Sequence, residues 1–255
     1  MTQMSKYPID LITVLGPTAS GKTPFATKLA HTMGNAEIIS ADSRMVYRGM
    51  TIGSGKDLGD YIVDGDKVPY HLIDICEPGY RFNVYEFQCA FQNAYMDIIA
   101  RGKLPIMCGG TGLYIESVLK SYELGQVKFP ERKSLTLGLK IERELRREKI
   151  TRRLKARLEG GMIEEVQGLL QKIPAERLIR YGLEYKFVTL YCIGQLSYSE
   201  MFRQLEIAIH QFAKRQMTWF RGMEERRGLP IHWIDATLPQ QEKVNIALEL
   251  LHNLQ

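Results

Sequence analysis

A chain of 255 residues, 45% hydrophobic and 25% charged, has enough apolar material for one α/β domain with an appendage, and no apolar run approaches the roughly 20 residues that cross a bilayer. The mean hydropathy of −0.20, and a start from Met1 to Asp10 without an apolar stretch, predict a cytoplasmic chain with no secretory signal. The net charge of +5 leans toward a polyanionic partner. Cys76, Cys89, Cys108 and Cys192 have no metal-ligand or paired spacing, which argues against a zinc site or disulfide framework and leaves them as buried, reduced thiols.

In chain order, the apolar run Leu11 to Leu15 predicts a strand. It is followed by Gly16, Pro17, Thr18, Ala19, Ser20, Gly21, Lys22 and Thr23 and then a helical pattern. The spacing G-x-x-x-x-G-K-[ST] is a phosphate loop: its backbone can curl around a phosphate, Lys22 reaches the outer phosphates, and Thr23 offers a hydroxyl to Mg²⁺. Ala36 to Ser40 predicts a second strand, with Asp42 at the strand end that faces the ligand crevice in open α/β sheets. Arg44 to Lys56, glycine-rich and basic, reads as a loop laid over a ligand, and Asp57 to Pro69 as a surface loop.

His71 to Ile75 predicts a buried strand containing Asp74, with His71 structural, and Asn83 to Ala100 a helix. Leu104 to Cys108 predicts a strand running into Gly109, Gly110, Thr111 and Gly112, which open a helix to Leu119. Strands alternating with helices imply a parallel sheet of βαβ units. From Ser121 the character changes: Gln126 to Lys133 reads as a linker, and the chain beyond Leu139 as nearly all helical. A basic amphipathic helix carrying Arg143, Arg146, Arg147, Arg152, Arg153 and Arg157 stops at Gly160 and Gly161. A helix capped by Ser199 leads into Ala213 to Arg221, where bases alternate with aromatics as on nucleic-acid surfaces. A short strand near Trp233 and a helix over 240–254 close the chain.

The phosphate loop, a strand-end acid and clustered bases suit either of two reactions. A small-molecule kinase would hold ATP in the loop, and a transferase would hold a departing diphosphate there. Spacing does not separate them.

The ordered blocks GPTASGKT, SADSRMVYRGMTIGSGK, HLIDICEP, GGTGLYIESVL, AKRQMTWFR and HWIDA resemble the tRNA dimethylallyltransferase (tRNA isopentenyltransferase) family. The resemblance implies a P-loop, nucleoside-phosphate-kinase-like α/β fold with a parallel sheet flanked by helices. It also implies transfer of the dimethylallyl group of dimethylallyl diphosphate to N6 of the adenosine next to the anticodon, position 37 of tRNA. On that basis Asp42 is the base, Lys22, Thr111 and Arg153 hold the diphosphate with Thr23 and Mg²⁺, and Ser43, Arg44 and Met45 line the adenine pocket. Lys214, Arg215, Gln216 and Arg221 contact the anticodon stem-loop, and the default state is a monomer. Three departures stand out: Met45 replaces a glutamine usual in the family, Arg180 is displaced by one position, and the middle of the chain is short. The expected organisation is a core of 1–121 and 158–255 with a reduced basic helical insertion over 122–157. The shortening also fits a relative that prenylates free AMP, ADP or ATP.

Overall fold

The computed structural model describes residues 8–125 and 130–254. In chain order the elements are strand β1 (Leu11–Leu15), helix α1 (Lys22–Met33), β2 (Ala36–Ser40), a 3₁₀ turn (Leu58–Tyr61), the short strands β3 (Ile62–Val63), β4 (Asp66–Lys67) and β5 (Tyr70–His71), α2 (Val84–Ala100), β6 (Leu104–Gly109) and α3 (Gly112–Leu119). There follow β7 (Ser134–Lys140), α4 (Arg143–Arg157), a π turn (Leu158–Met162), α5 (Ile163–Leu170), α6 (Ala175–Leu178), α7 (Leu183–Cys192), α8 (Tyr198–Glu225), β8 (His232–Asp235) and α9 (Gln240–His252).

Six strands form one sheet in the order β5-β2-β6-β1-β7-β8, with every neighbouring pair parallel. β1, β2 and β6 are buried throughout, which explains why they read as continuous apolar runs rather than alternating ones. Crossover helices then have to cover both faces. α1 and α9 bury Phe25, Leu29, Val244 and Leu251 against one face, and α2, α3 and the end of α8 bury Phe87, Phe91, Ile115 and Phe220 against the other. The α/β parallel sheet flanked by helices is therefore as the sequence led us to expect.

A third apolar cluster lies outside the sheet, where α4, α5, α7 and the first half of α8 pack around Leu154, Val166, Tyr185 and Leu205. α8 links this helical layer to the sheet. Its stripe Met201, Leu205, Ile209, Ala213, Gln216, Phe220 and Met223 stays buried over 28 residues, about 42 Å at 1.5 Å per residue. The helix begins at Ser197, not at Ser199. The Ser197 side chain accepts from the Glu200 N–H while the Glu200 carboxylate accepts from the Ser197 N–H, a closed capping box.

Several expectations change. The segment 122–157 is not one helical insertion, because β7 within it pairs with β1 along its length, Leu11 opposite Ser134 through Leu15 opposite Gly138. Alternation of Leu135, Leu137 and Leu139 with smaller residues makes it a strand. Of the expected linker 126–133, residues 126–129 lie outside the described residues. The expected strand at His71 to Ile75 is cut to Tyr70–His71, since Leu72 and Asp74 adopt φ of 63° and 55°, and Asp74 pairs with the buried Lys56 ammonium. The stretch 57–69 is not purely surface loop, because Tyr61 and Val68 join the core. Val46, Tyr47 and Met50 of the loop before it are also buried. Of the four cysteines, none of which is disulfide-bonded, Cys108 is buried and the other three are partly exposed. Among the described residues no helix is long and apolar enough to cross a membrane.

Candidate active site

The β1–α1 turn carries the phosphate loop, with Ala19 at φ 62° and Gly21 at φ 80°. No side chain caps α1, so the first N–H groups of that helix remain available to an anion at its positive end. Lys22 Nζ donates to the Pro17 carbonyl at 2.8 Å, folding the side chain back over the loop. Enclosure by protein atoms lowers its pKa to about 8, against the opposing influence of Asp42. The loop is also tied across the sheet. The Thr18 N–H donates to Gln216 Oε1 at 2.8 Å, and Gln216 Nε2 donates to the Gly110 carbonyl at 2.8 Å. A Cβ on Gly110 would stand 2.5 Å from that Gln216 nitrogen, so any larger residue there would displace the amide that joins the two loops. Replacing Gln216 with leucine removes both bonds and is expected to lower turnover about tenfold, by loosening the loop against the Gly110 turn. Steady-state kinetics with a thermal melt to register folding checks this.

Asp42 leaves β2 at the crevice end of the sheet, and its Oδ1 accepts from the Arg44 N–H at 2.9 Å. Beside it, Thr111 Oγ1 accepts from the Ser43 N–H at 3.0 Å. The turn after β6 lies so close to β2 that a Cβ on Gly109 would overlap the Ala41 carbonyl. This contact sets the Gly110–Thr111 turn against Asp42.

Opposite the loop, the C-terminal half of α4 brings Arg153 and Arg157 over Gly55. Arg157 and Arg44 converge on the buried Glu184 carboxylate, at 3.4 and 2.7 Å. Desolvation first, then Arg153 nearby, lowers the Arg157 pKa to about 10. Arg153 is surrounded by protein yet still reached by solvent at the mouth, and its pKa is lowered by the same desolvation. Asp60, from the 3₁₀ turn, faces the same cleft, and its carboxyl is pushed up to about 6 by burial and then by Asp57.

These residues bound two cavities. The first, about 610 Å³, is lined by the phosphate loop, Lys22, Thr23, Asp60, Arg153 and Arg157. The second, about 910 Å³, is lined by Tyr47, Phe82, Thr111, Tyr181 and Phe212 together with the cations Arg180 and Lys186. Asp42 and Arg44 line both, as do Gly110 and Gln216.

The expected residues divide accordingly. Gly16 to Thr23, Lys22, Asp42, Ser43, Arg44, Thr111 and Arg153 come together around the two cavities. Met45 lines the first cavity and reaches Ser40 Oγ with its sulfur at 3.7 Å. Lys214, Arg215 and Arg221 are exposed on α8. Gln216, expected among the tRNA contacts, is 7% exposed with both ends of its amide engaged within the protein, and it belongs to the wall of both cavities and not to the outer basic strip. The loop 44–56 does border the first cavity, through Arg44, Met45, Ser54 and Gly55, and its middle is tied to α5. Its N–H groups at Thr51, Ile52 and Gly53 are taken by the Glu165 carboxylate at 2.9, 2.7 and 3.0 Å. Sequence reasoning missed Glu184, Arg157 as a cleft residue, and Asp60. The only available signals were an acid beside Tyr185 and the i, i+4 spacing of Arg153 and Arg157, which puts both on one face of α4.

The IPP transferase family model matches residues 45–135 and 121–223. A tRNA dimethylallyltransferase 2 of Phocaeicola vulgatus is 51% identical over 308 aligned positions, covering 98% of this chain and 99% of that protein. A tRNA dimethylallyltransferase 1 of Parabacteroides distasonis is 52% identical, covering 96% and 98%. An alignment of 308 positions exceeds a chain of 255 residues by 53, so at least that many positions are gaps on this side. The two family matches overlap at 121–135, where the sequence is short. Among solved structures, the full-length tRNA isopentenylpyrophosphate transferase of Bacillus halodurans superposes with TM-score 0.85 at 26% identity, covering 96% of each chain. With fold, loop and matched sequence in agreement, the chain belongs to the IPP transferase family, that of the tRNA dimethylallyltransferases.

Proposed function

We propose that the chain, as a cytoplasmic monomer, transfers the dimethylallyl group of dimethylallyl diphosphate to N6 of the adenosine next to the anticodon, position 37 of tRNA, and releases diphosphate. The observation that carries this reading is the place of Asp42 on the wall shared by two cavities of different chemistry. The cationic cavity suits a diphosphate, and the aromatic one suits the acceptor base, with the donor's apolar dimethylallyl group between them. The relatives named for dimethylallyl transfer to tRNA support that acceptor over phosphoryl transfer from ATP.

N6 of the extruded adenine attacks the allylic carbon, the carbon–oxygen bond breaks, and its electron pair leaves with the diphosphate. The proton on N6 passes to the Asp42 carboxylate, which is sufficient as a base because the amine turns acidic as the new bond forms. Charge growing on the departing oxygens meets Lys22, Arg153, Arg157 and the open N–H groups of α1. Thr111 fixes the backbone beside Asp42 through the Ser43 N–H. Extrusion of the base from its stack is what lets the acceptor reach an enclosed electrophile.

Among the described residues no three Asp, Glu, His or Cys side chains are grouped to hold a metal ion, so the hard-oxygen ligands that Mg²⁺ needs beyond Thr23, which lines the cationic cavity, would come from the diphosphate and water. Thr23 would hold the ion through its hydroxyl, and the ion would neutralise the diphosphate. The 53 or more missing positions favour one rival acceptor, free adenine nucleotides, which need less surface to grip. Purified protein is to be incubated with labelled dimethylallyl diphosphate and either unmodified tRNA or AMP, ADP and ATP. Label is expected in tRNA at A37, and label confined to the nucleotides overturns the tRNA reading.

A further inference from the structure

α7 opens after Gly182, and Glu184 stands in its first turn, the end of a helix where negative charge is favoured. Its side chain is only 5% exposed, and a carboxylate is rarely buried that far unless it is paired. The partners are Arg44 Nη1 at 2.7 Å and Arg157 Nη1 at 3.4 Å. Arg44 also has a second carboxylate beside it. Asp42 Oδ1 lies 3.8 Å from Arg44 Nε, beyond hydrogen-bond reach, although it accepts the Arg44 backbone N–H at 2.9 Å. Two acids therefore flank one guanidinium, and the nearer of them is not the base.

Other contacts hold the Arg44 side chain in that choice. Its guanidinium lies over the Phe212 ring, 5.6 Å from the centroid. A Cβ on Gly182 would stand 2.8 Å from Arg44 Cδ, so the side chain runs directly along the backbone that leads into α7. Arg44 lines both cavities together with Asp42, and a turn of its planar fork away from Glu184 would bring it onto the Asp42 carboxylate. An arginine fork closed on a carboxylate occupies both oxygens and stabilises the form without a proton. Such a pairing opposes the uptake of a proton from N6.

We propose that Glu184 is a positioning residue for the transfer step: by holding the Arg44 guanidinium it keeps that cation off the Asp42 carboxylate and leaves the Asp42 oxygens open to the N6 proton. The inference deepens the reading given under Proposed function and rests on Asp42 as the base. Arg157 is the second arm of the same contact, and it lines the diphosphate cavity. Its attraction to Glu184 competes with its attraction to the diphosphate, so loss of the Glu184 charge acts in opposite senses on the two cavities. The base is hindered, while the diphosphate is held as firmly as before or more so.

Glu184→Gln keeps the volume and removes the charge. It is compared with wild type in kcat, in the Kd of inorganic diphosphate with Mg²⁺ followed by calorimetry, and in thermal melting, with kcat taken on whichever acceptor wild type labels. The kcat is expected to fall about 10- to 50-fold, short of losing the general base outright, and diphosphate should bind equally or more tightly. A damaged fold would weaken both, so a parallel loss of diphosphate affinity overturns the proposal, as does a kcat near that of wild type. A second pair, Arg44→Met and Arg44→Met/Glu184→Gln, removes the contested cation. Arg44→Met is itself expected to be slow, but adding Glu184→Gln should then change kcat by less than about twofold. A full further loss in that background places the role of Glu184 elsewhere and overturns the assignment. If Asp42→Asn abolishes transfer while Glu184→Gln does not slow it, this proposal alone falls. If Asp42→Asn keeps near-normal turnover, the base is misassigned and both readings fall.

Discussion

Asp42→Ala is expected to lower kcat by about 10² to 10⁴-fold, the range associated with a positioned general base, while tRNA affinity changes little. Asp42 is the carboxylate that faces both the cationic and the aromatic cavity, so no neighbour in the described residues stands ready to take the N6 proton. Asp57 and Asp60 line only the cationic side. Asp42→Asn keeps the shape and removes the basicity, and should lose nearly as much. Single-turnover transfer, measured beside RNA binding, separates chemistry from affinity, and near-normal turnover in Asp42→Ala would falsify its role as base.

Lys22→Ala should lower kcat/KM for dimethylallyl diphosphate by about 10² to 10³-fold, on the order of 3 to 4 kcal/mol, as for removal of one donor from a developing oxyanion. Its titration adds a signature. The folded pKa of about 8 lies below the ordinary lysine value of 10.5, so the free protein pays for a charged Lys22 at any pH below about 8, and that penalty fades as pH rises from about 8 to 10.5. The bound diphosphate needs the charged form. Affinity should therefore fall as pH rises above about 8, and the ligand-induced thermal shift should shrink in the same window. Lys22→Arg, always charged, should flatten the profile even though its planar fork fits the loop less well. A wild-type affinity that stays level from pH 7 to 9.5 would remove Lys22 as the titrating contact.

Much of the sheet and its cradle was legible because local pattern and global role coincide there. The runs Leu11–Leu15, Ala36–Ser40 and Leu104–Cys108 are buried on both faces, and glycine spacing marks the turns that follow them. β7 was missed for the opposite reason: its leucines alternate with Ser134, Thr136 and Gly138, and it sits in a stretch dominated by charge, so nothing local says that β1 supplies its partner. The burial of Gln216 was not legible because AKRQMTWFR reads as a basic surface strip. In the helix its residues point in different directions, and only Lys214, Arg215 and Arg221 of the four expected contacts face solvent. The roles of Glu184 and Glu165 were hidden, since their partners, Arg44 and the 51–53 backbone, lie more than a hundred residues away.

α8 lends Leu205, Ile209 and Ala213 to the helical layer and Phe220 and Met223 to the sheet. Neither core can melt alone without stripping apolar cover from the other, so the chain lacks a weak seam between a stable scaffold and a detachable cap. In a protein of 255 residues that has given up a large middle segment, this shared rod makes unfolding close to all-or-none. It also means that a displacement of the helical layer reaches the phosphate loop, which Gln216 of α8 holds through the Thr18 N–H, through one stiff element and not through a hinge.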